Sequence, residues 1–458
     1  MSDTLMISVS GMRGVVGTDL TPELVARHAA ALGAWARRAG HPRVVVGRDA
    51  RTSGAMFNRA ATAGLMSVGV EVIDLGIVPT PTVQLAVEHH HAGAGLILTA
   101  SHNPIEWNAL KFVGPDGIFL DGSAGAEVRG LAESGPPRVS WKGIGEVRED
   151  PDAIARHLDV VLRLPVLDVA AIRKRRFHVA LDCVRGAGGT MMPRLLEQLG
   201  CRLTAINLET DGRFPRAPEP VPENLGELSR LVKSSGAEIG MAVDPDVDRL
   251  ALVNEHGTPI GEDYTLAFAV RAVLGSRRRG AGATGGDRVV VANLSTSLVV
   301  EDAARAHGAR FLRAPVGEAN VARMIRDERA VVGGEGNGGV ILPAVHIGRD
   351  APVGVALILQ LLLESGLSVA GLVGASARYR IVKAKAPRRA DLSPAYRALR
   401  ERFTDAAADE RDGLRLAWAD RWVHVRPSGT EPIVRFIAEA PTQAEAEALV
   451  GVCRELLG

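Results

Sequence analysis

Three aspartates alternate along one short stretch of the chain, residues 244–249 with the sequence DPDVDR. Alternate side chains of an extended loop project to one side, so the carboxylates of Asp244, Asp246 and Asp248 can share a hard divalent cation. An EF-hand is excluded, because Arg249 stands where that loop needs glycine and the flanking apolar runs resemble strands. A solvated acidic turn is the alternative, but neighbouring acids repel one another unless they are neutralised. The stretch, named the metal loop here, therefore predicts a cation site.

A serine lies next to a histidine in residues 99–104, with the sequence TASHNP, named the serine loop. Ser101 at the end of an apolar strand, beside His102, is a possible nucleophile. A serine hydrolase is only weakly supported, because the GxSxG elbow and a clear triad order are missing from the sequence. A helix N-cap is the alternative, since serine and asparagine before proline are ordinary capping residues. These residues alone leave both interpretations open.

One acid and one amide stand in a run of glycines at residues 334–339, named the glycine loop. Glu335 and Asn337 could bind neighbouring hydroxyls of a sugar. A dinucleotide-binding loop is not supported, because these glycines do not open a βαβ unit with a matching acid downstream. A plain turn explains the pattern equally well.

Hydroxyls, a glycine and two arginines are combined in residues 426–435, RPSGTEPIVR, named the phosphate loop. Gly429 lets the backbone curl into a nest of N–H donors, Ser428 and Thr430 add hydroxyls, and Arg426 and Arg435 add positive charge. The pattern predicts a phosphate cradle. It lacks GxxxxGK[ST], which argues against a nucleotide P-loop. A charged hairpin turn is the alternative.

The elements around these loops repeat. Three stretches, RVVVGRDARTSG (43–54), HVALDCVRGAGG (178–189) and RVVVANLSTS (288–297), each read as a strand, a polar turn and a helix. Each is followed by a second strand that ends in the serine, metal or glycine loop. We expect three related α/β units with mixed sheets, and ligands at the carboxyl ends of their strands.

The pattern changes near residue 368, where strands and one helix indicate a smaller α+β domain. The expected domains are residues 1–145 with the serine loop, 146–254 with the metal loop, 255–368 with the glycine loop and 369–458 with the phosphate loop. An apolar run at 353–363 is too short for a membrane span and is typical of a buried helix.

Composition excludes several classes of protein. The chain has 458 residues, 46% of them hydrophobic and 23% charged, with a net charge of +1. This is typical of a folded protein with no overall field for nucleic acid or an anionic membrane. Its 3 cysteines show no CxxC spacing, and the N-terminus does not resemble a signal peptide, so we expect a reducing, cytoplasmic compartment.

Taken in this order, the four loops resemble those of the α-D-phosphohexomutase family, over nearly the whole chain. The family has three similar α/β domains and a smaller fourth around a central cleft, in agreement with the repeat. The resemblance implies an isomerase of carbohydrate metabolism that moves phosphate between the 6- and 1-oxygens of a hexose. A hexose 1,6-bisphosphate would be its intermediate and activator.

The resemblance also implies a role for each loop. Ser101 would carry the phosphoryl group, making the chain a phosphoprotein, and would share one Mg²⁺ with Asp244, Asp246 and Asp248. Glu335 and Asn337 would bind the sugar, and the phosphate loop would bind the phosphate that the substrate already carries. That cradle must accept either phosphate, because the bisphosphate turns end for end before the second transfer.

The family's motif lysine matches Lys111 in SHNPIEWNALK. The resemblance makes Lys111 the candidate for proton transfer, with His102 and Arg13 assisting. Lys111 and Arg249 would also offset negative charge. The chain departs from the family at the end of the glycine loop, where many members have Ser-Gly-His. Here Gly339 replaces the histidine, which leaves the general base unassigned.

The form of the glycine loop, with SGMRG at residues 10–14, is most like archaeal-type phosphoglucosamine mutases. We therefore expect interconversion of glucosamine 6-phosphate and glucosamine 1-phosphate, by a monomer or homodimer. A phosphomannomutase/phosphoglucomutase is the first alternative. A non-catalytic sugar-phosphate sensor and a phosphatase are alternatives of other classes, but a sensor would not need Ser101 together with the three aspartates.

Overall fold

The structure, a computed structural model, describes residues 5–8, 11–276, 278, 288–388, 391–428 and 433–457. The described residues form four sheets, of seven, four, four and five strands, in chain order. The first three sheets are mixed and the fourth is antiparallel. The predicted fold class, three α/β units and a smaller α+β domain, is confirmed.

The first unit places a seven-stranded sheet among helices. Its strands are β1 (Met6–Ser8), β2 (Gly11–Val15), β3 (Arg43–Arg48), β4 (Glu71–Ile77), β5 (Ala94–Leu98), β6 (Trp107–Val113) and β7 (Val147–Glu149). Its helices are α1 (Pro22–Arg38), α2 (Gly54–Met66), α3 (Thr80–His89) and α4 (Gly122–Ser134), followed by a 3₁₀ turn at Trp141–Gly143. β7 lies beyond the expected boundary at residue 145, yet it pairs in parallel with β4. All of its residues are exposed, so no hydrophobic pattern marks it as part of this sheet.

The second and third units are smaller. The second contains α5 (Ala153–Leu162), α6 (Val169–Arg175), β8 (His178–Asp182), α7 (Gly188–Gln198), β9 (Arg202–Ile206), a 3₁₀ turn at Pro222–Asn224, α8 (Gly226–Ser235), β10 (Ile239–Val243) and β11 (Leu250–Asn254). The third contains α9 (Asp263–Gly275), β12 (Val289–Asn293), α10 (Leu298–Arg305), β13 (Arg310–Ala314), α11 (Glu318–Asp327), β14 (Val332–Glu335), β15 (Gly339–Ile341), α12 (Ala351–Ser365) and α13 (Val369–Gly374).

The fourth unit is an antiparallel sheet with two helices. It contains β16 (Arg380–Pro387), α14 (Ser393–Arg402), β17 (Ala407–Asp409), β18 (Leu414–Ala417), β19 (Trp422–Pro427), β20 (Ile433–Ala440) and α15 (Gln443–Leu457). Its strand order is β16-β20-β19-β18-β17. The phosphate loop joins β19 to β20.

One four-strand pattern recurs in the first three sheets. The orders β4-β3-β5-β6, β9-β8-β10-β11 and β13-β12-β14-β15 are equivalent, with the last pair antiparallel in each. The third strand of each set leads into the serine, metal or glycine loop. The loops therefore occupy equivalent places at the carboxyl ends of parallel strands, where open α/β sheets bind ligands.

The cores follow from the apolar sequence runs. β5, β8, β10 and β12 are buried at every residue, as expected for strands covered on both faces. α12 is the helix predicted from the apolar run at 353–363, and its first twelve residues are buried. Each fully buried leucine or isoleucine side chain contributes about 1.5–3 kcal/mol. Within the described ranges, no helix is both long and apolar enough to cross a membrane.

Candidate active site

The metal loop brings its three carboxylates together in the interior. One ligand atom each from Asp244, Asp246 and Asp248 lies within 4.8 Å of the others, and the three residues are at most 1% exposed. The loop leaves β10 at Asp244 and turns through Val247, whose φ of 63° is left-handed. The predicted convergence of alternate side chains is therefore present.

The donor set fits a divalent cation. Oδ1 of Asp246 and Oδ1 of Asp248 are buried and accept no hydrogen bond from the part of the chain that the structure describes. Buried carboxylate oxygens without donors are costly unless a cation or another donor satisfies them. Clustered carboxylate oxygens are the ligands that Mg²⁺ and similar hard cations take.

The aspartates titrate differently. Burial raises the pKa of Asp244 well above its ordinary value, and the charges of Asp248 and Asp246 add to the effect. Burial acts in the same direction on Asp246, but the Lys111 ammonium, together with hydrogen bonds from Asp244 and Thr80, outweighs it and holds the pKa of Asp246 below its usual range. Asp246 therefore stays ionised, whereas a proton or an added cation would stabilise Asp244.

The predicted nucleophile contacts the metal loop directly. Ser101 Oγ donates to Asp244 Oδ2 at 3.0 Å, and Ser101 is only 3% exposed. Its φ of 48° places a non-glycine residue in the left-handed region, a strained conformation that the surroundings must hold. The serine loop leads into β6 and not into a helix, so the helix N-cap alternative is wrong.

Arg51, which sequence reasoning missed, fixes the shape of the serine loop. Its guanidinium donates to the carbonyl oxygens of Ser101 (2.7 Å) and Asn103 (2.6 Å). It also donates to the carbonyls of Pro104 (2.6 Å) and Trp107 (2.8 Å) and lies against the Asp49 carboxylate. Buried carbonyls need such donors. An arginine in a polar turn gave no sequence signal that its partners lie some fifty positions away.

Three predicted cations surround the serine and metal loops. Lys111 Nζ donates to Asp246 Oδ2 at 2.7 Å, from β6. Arg13, on the neighbouring strand β2, donates to Asn103 Oδ1 at 2.6 Å. Arg249 lies 3.7 Å from Asp248 Oδ1, while its backbone N–H donates to Asp244. They place positive charge around buried carboxylates and around any phosphoryl group on Ser101.

His102 lies beside the serine. Its Nδ1 is 3.3 Å from Ser101 Oγ, and its Nε2 is 3.8 Å from Glu219. The charge of Arg249, then burial and Arg13, hold the pKa of His102 well below its ordinary value. The ring is therefore neutral near neutral pH and has a lone pair that can accept a proton.

The glycine loop contributes two polar side chains, Glu335 and Asn337, and its other residues are glycines. Glu335 Oε1 accepts from Asn293 Nδ2 (2.8 Å) and from the Gly317 N–H (3.1 Å), and Oε2 accepts from Arg349 (2.7 Å). Asn337 Oδ1 accepts only from the backbone N–H of Gly339, at 3.2 Å, among the hydrogen bonds of the described residues. Asn337 also lines the cleft described below.

Arg349, also missed, occupies the space next to Gly339. A Cβ at Gly339 would lie 2.2 Å from Arg349 Cδ, so a histidine cannot stand there without moving the arginine. The Arg349 guanidinium donates to Asp248 Oδ2 at 2.5 Å and to Glu335 Oε2 at 2.7 Å, and lies 3.1 Å from Glu318 Oε2. One buried cation thus joins the metal loop to the glycine loop.

Residues from three units line a cleft of about 410 Å³. Its walls include Arg13, Ser101, His102, Lys111, Arg249, Glu335 and Asn337, together with Glu318 and Arg349. The three aspartates lie behind Ser101. The structure thus brings together ten of the predicted site residues, in one place.

The remaining predicted residues belong to the phosphate loop. Gly429 and Thr430 lie outside the described residues. Arg426, Ser428 and Arg435 are not part of the cleft wall. Arg426 Nε donates to Asp412 Oδ2 at 2.9 Å, and the same oxygen accepts from the backbone N–H of Val316, which does line the cleft. The phosphate loop is therefore connected to the rim of the cleft.

Sequence profiles of one family match the four units in order. Phosphoglucomutase/phosphomannomutase alpha/beta/alpha domain I matches residues 5–137, domain II residues 155–257, domain III residues 262–379 and the C-terminal domain residues 382–455.

Relatives and a solved structure agree with these matches. A phosphoglucomutase/phosphomannomutase of Thermococcus kodakarensis is 38% identical over 442 residues, covering 95% of this chain and 94% of that protein. A Methanopyrus kandleri protein named "probable phosphoglucosamine mutase" is 36% identical over 446 residues, covering 96% and 95%. The structure of a Burkholderia thailandensis phosphoglucomutase/phosphomannomutase family protein has a TM-score of 0.85 at 26% identity, covering 99% of this chain and 98% of that one. The chain therefore belongs to the phosphoglucomutase/phosphomannomutase family and is a phosphohexomutase, an isomerase.

Proposed function

We propose that this chain interconverts glucosamine 6-phosphate and glucosamine 1-phosphate through a phosphoserine and a hexose 1,6-bisphosphate. The observation that carries the mutase chemistry is the contact of Ser101 Oγ with Asp244, 3.0 Å away, behind the wall of a cleft that Ser101, Lys111 and Glu335 line. A hydroxyl, a carboxylate cluster and a sugar-binding wall are what a reversible phosphoryl transfer requires.

Two transfers make up the reaction. In the first, the bond between phosphorus and Ser101 Oγ breaks while a substrate hydroxyl oxygen bonds to phosphorus and releases its proton. In the second, Ser101 Oγ bonds to the other phosphorus of the reoriented bisphosphate, whose sugar oxygen regains a proton. Phosphate and protons are conserved over the cycle, so the enzyme ends phosphorylated as it began.

The chain's own residues position these steps. We assign proton transfer to Lys111, with His102 and Arg13 assisting, because these side chains surround Ser101 in the cleft. His102, neutral and 3.3 Å from Ser101 Oγ, can exchange a proton with that oxygen. Asp244, Asp246 and Asp248 would hold one Mg²⁺, which supplies withdrawal of charge from the phosphoryl group as it transfers. Glu335 and Asn337 would bind sugar hydroxyls.

The phosphate that is not transferred needs a separate site. We assign it to the phosphate loop, through Arg426, Ser428, Gly429, Thr430 and Arg435. The hydrogen bonds of Asp412 support this assignment, because they join Arg426 at the base of the loop to Val316 in the cleft wall. A cradle separate from Ser101 can receive either phosphate after the bisphosphate turns.

A carboxylate in the cleft supports an amino sugar as substrate. Glu318 lines the cleft at the start of α11 and is 8% exposed, with Oε1 accepting from the Arg349 backbone N–H at 3.1 Å and Oε2 lying 3.1 Å from the Arg349 guanidinium. Burial raises the pKa of Glu318, so additional positive charge would stabilise its ionised form. The ammonium of glucosamine supplies that charge and three donors, whereas the hydroxyl of glucose or mannose does not.

The glucosamine assignment is tested by comparing kcat/KM for the 1-phosphates of glucosamine, glucose and mannose. We expect glucosamine to be preferred, and Glu318→Gln to lower that preference by roughly 10-fold or more. Glu335→Gln is the control, since it should impair all three sugars alike. Faster turnover of glucose or mannose phosphate by the wild type would instead favour a phosphoglucomutase/phosphomannomutase, which is the name of the Thermococcus relative.

The phosphoserine is tested by intact mass and by Ser101→Ala. After exposure to glucose 1,6-bisphosphate, the wild type should gain the mass of one phosphoryl group, and Ser101→Ala should gain none and lose mutase activity while keeping its Tm. A wild type that takes up no phosphate would favour a non-catalytic sensor. Steady release of inorganic phosphate would favour a phosphatase.

A further inference from the structure

A second buried cluster lies outside the cleft. Asp350 Oδ2 accepts hydrogen bonds from His157 Nε2 at 2.8 Å and from His346 Nε2 at 3.0 Å. The three side chains are at most 1% exposed. No step of the proposed reaction uses them.

The cluster ties together helices from three units. Asp350 caps α12 of the third unit, where its Oδ1 accepts from the Val353 N–H at 3.0 Å. His157 belongs to α5 of the second unit, and its Nδ1 lies 2.9 Å from Thr82 Oγ1, in the first turn of α3 of the first unit. Hydrogen bonds therefore run without a break from Thr82 through His157 to Asp350.

The same two helix N-termini hold the metal loop. Thr80, at the start of α3, donates from its backbone N–H to the Asp246 carbonyl and from Oγ1 to Asp246 Oδ2, each at 2.9 Å. Ala351, at the start of α12, donates to the Val247 carbonyl at 3.3 Å. The metal loop therefore lies between two helix ends whose relative position the His157 network fixes.

We propose that His157 is a positioning residue that sets the affinity of the metal loop for its divalent cation. Its two hydrogen bonds hold α3 against α12, and those helices hold Asp246 and Val247. The inference rests on the proposed metal role of Asp244, Asp246 and Asp248. Groups that hydrogen-bond directly to metal ligands, as Thr80 does to Asp246, change metal affinity by about 10–100-fold in other sites, and His157 acts through that group.

Two imidazoles and a carboxylate could also ligate a transition metal. Both Nε2 atoms, however, stand at hydrogen-bond distance from one oxygen of Asp350, and the other oxygen caps α12. Hydrogen bonding thus accounts for each of these contacts. A stoichiometric transition metal in the purified protein that disappears in His157→Phe would overturn the proposal.

The test is direct Mn²⁺ binding to the full chain, by calorimetry and by the Mn²⁺ electron spin resonance signal, in the absence of substrate. We expect His157→Phe and the near-isosteric Thr82→Val to weaken binding by about 10-fold, the lower end of the range for direct partners of the ligands. His178→Phe is the matched control. His178 is also buried in the second unit and hydrogen-bonded to Thr204, but it begins β8, at the opposite end of that sheet from the metal loop.

The variants separate positioning from general destabilisation. His178→Phe should lower the Tm while binding Mn²⁺ within twofold of the wild type. Unchanged Mn²⁺ affinity in a folded His157→Phe or in Thr82→Val, or equal weakening in His178→Phe, would overturn the proposal. If Asp246→Asn also leaves Mn²⁺ binding unchanged, the metal assignment itself fails, which is a distinguishable result.

Discussion

The metal loop and the glycine loop occupy the same place in two copies of one structural unit, yet they are built differently. Each follows the third strand of the repeated pattern and precedes an antiparallel strand. The metal loop carries three buried carboxylates, whereas the glycine loop carries one acid between glycines. The repeat thus provides the place, and the loop residues provide the chemistry.

The two loops also differ in what stabilises them. The carboxylates of the metal loop depend on cations from other units, with Lys111 on Asp246 and Arg349 on Asp248. The glycine loop depends on close backbone approach: a Cβ at Gly338, where φ is 88°, would lie 2.5 Å from the Leu250 carbonyl oxygen. The clustered carboxylates of the metal loop require charged partners from other units, whereas the close backbone approach of the glycine loop requires residues without a Cβ.

The largest difference is expected from one substitution in each loop. Asp246→Asn removes a proposed ligand and the partner of Lys111, so kcat should fall by about 10²-fold or more and half-activation should need more Mg²⁺. Asn337→Ala removes a proposed sugar contact, so KM should rise by about 10-fold with a smaller change in kcat. Steady-state kinetics over a Mg²⁺ titration measures both. An unchanged metal dependence in Asp246→Asn would contradict the contrast.

The second-largest effect is expected on stability, from replacing Arg349, the buried cation that joins the metal loop to the glycine loop. Arg349→Met leaves the buried carboxylates of Asp248, Glu318 and Glu335 without their shared partner, and we expect a loss of about 3–5 kcal/mol in the free energy of unfolding. Urea denaturation measures it. Arg326→Met is the control, because its ion pair with Asp116 is exposed and should contribute about 1 kcal/mol or less. Equal losses of unfolding free energy in the two variants would show that the buried ion pairs of Arg349 contribute no more than an exposed one.

The smallest expected effect is a pH dependence of stability that comes from Asp263, a carboxyl packed against Gly336 of the glycine loop. Burial raises the pKa of Asp263 to about 8, and this carboxyl accepts from the Ser297 N–H at 2.8 Å. The folded state therefore binds the proton more tightly than the unfolded state. This contribution to stability is fully present below the unfolded pKa and is lost as pH rises through about 8.

Asp263→Asn should remove that contribution, because the amide does not titrate. We expect the Tm of the wild type to fall more between pH 6 and pH 9 than that of the variant, by about 2–4 °C. Calorimetric scans across this range measure the difference. Parallel Tm curves would mean that Asp263 is already ionised in the folded protein.

Much of the architecture was predictable from the sequence. The three strand-turn-helix stretches became β3, β8 and β12 with their helices, and the second strands became β5, β10 and β14. Periodic apolar runs carry this information, since strands buried on both faces must be apolar throughout. The alternation of Asp244, Asp246 and Asp248 likewise predicted that their carboxylates lie together, as they do in the structure.

The supporting residues were not predictable. Arg51, Arg349 and Glu318 stand in unremarkable polar turns or at a helix start, and His157 stands within an amphipathic helix. Apart from Asp49 beside Arg51, the contacts that reveal their roles join residues far apart in the chain: Arg349 to Glu335 across 14 positions, Arg51 to Ser101 across 50 and His157 to Asp350 across 193. The roles assigned to Ser101 and the other loop residues remain predictions for the experiments above.

The sequence by itself determined where strands and helices lie and which loops follow the strands, because hydrophobic periodicity and turn chemistry are local. Only the tertiary structure decided which cations neutralise which carboxylates, how Arg349 takes the space beside Gly339, and which buried network holds the metal loop. Those contacts depend on how separate units pack, and packing brings together side chains whose separation along the chain carries no local pattern.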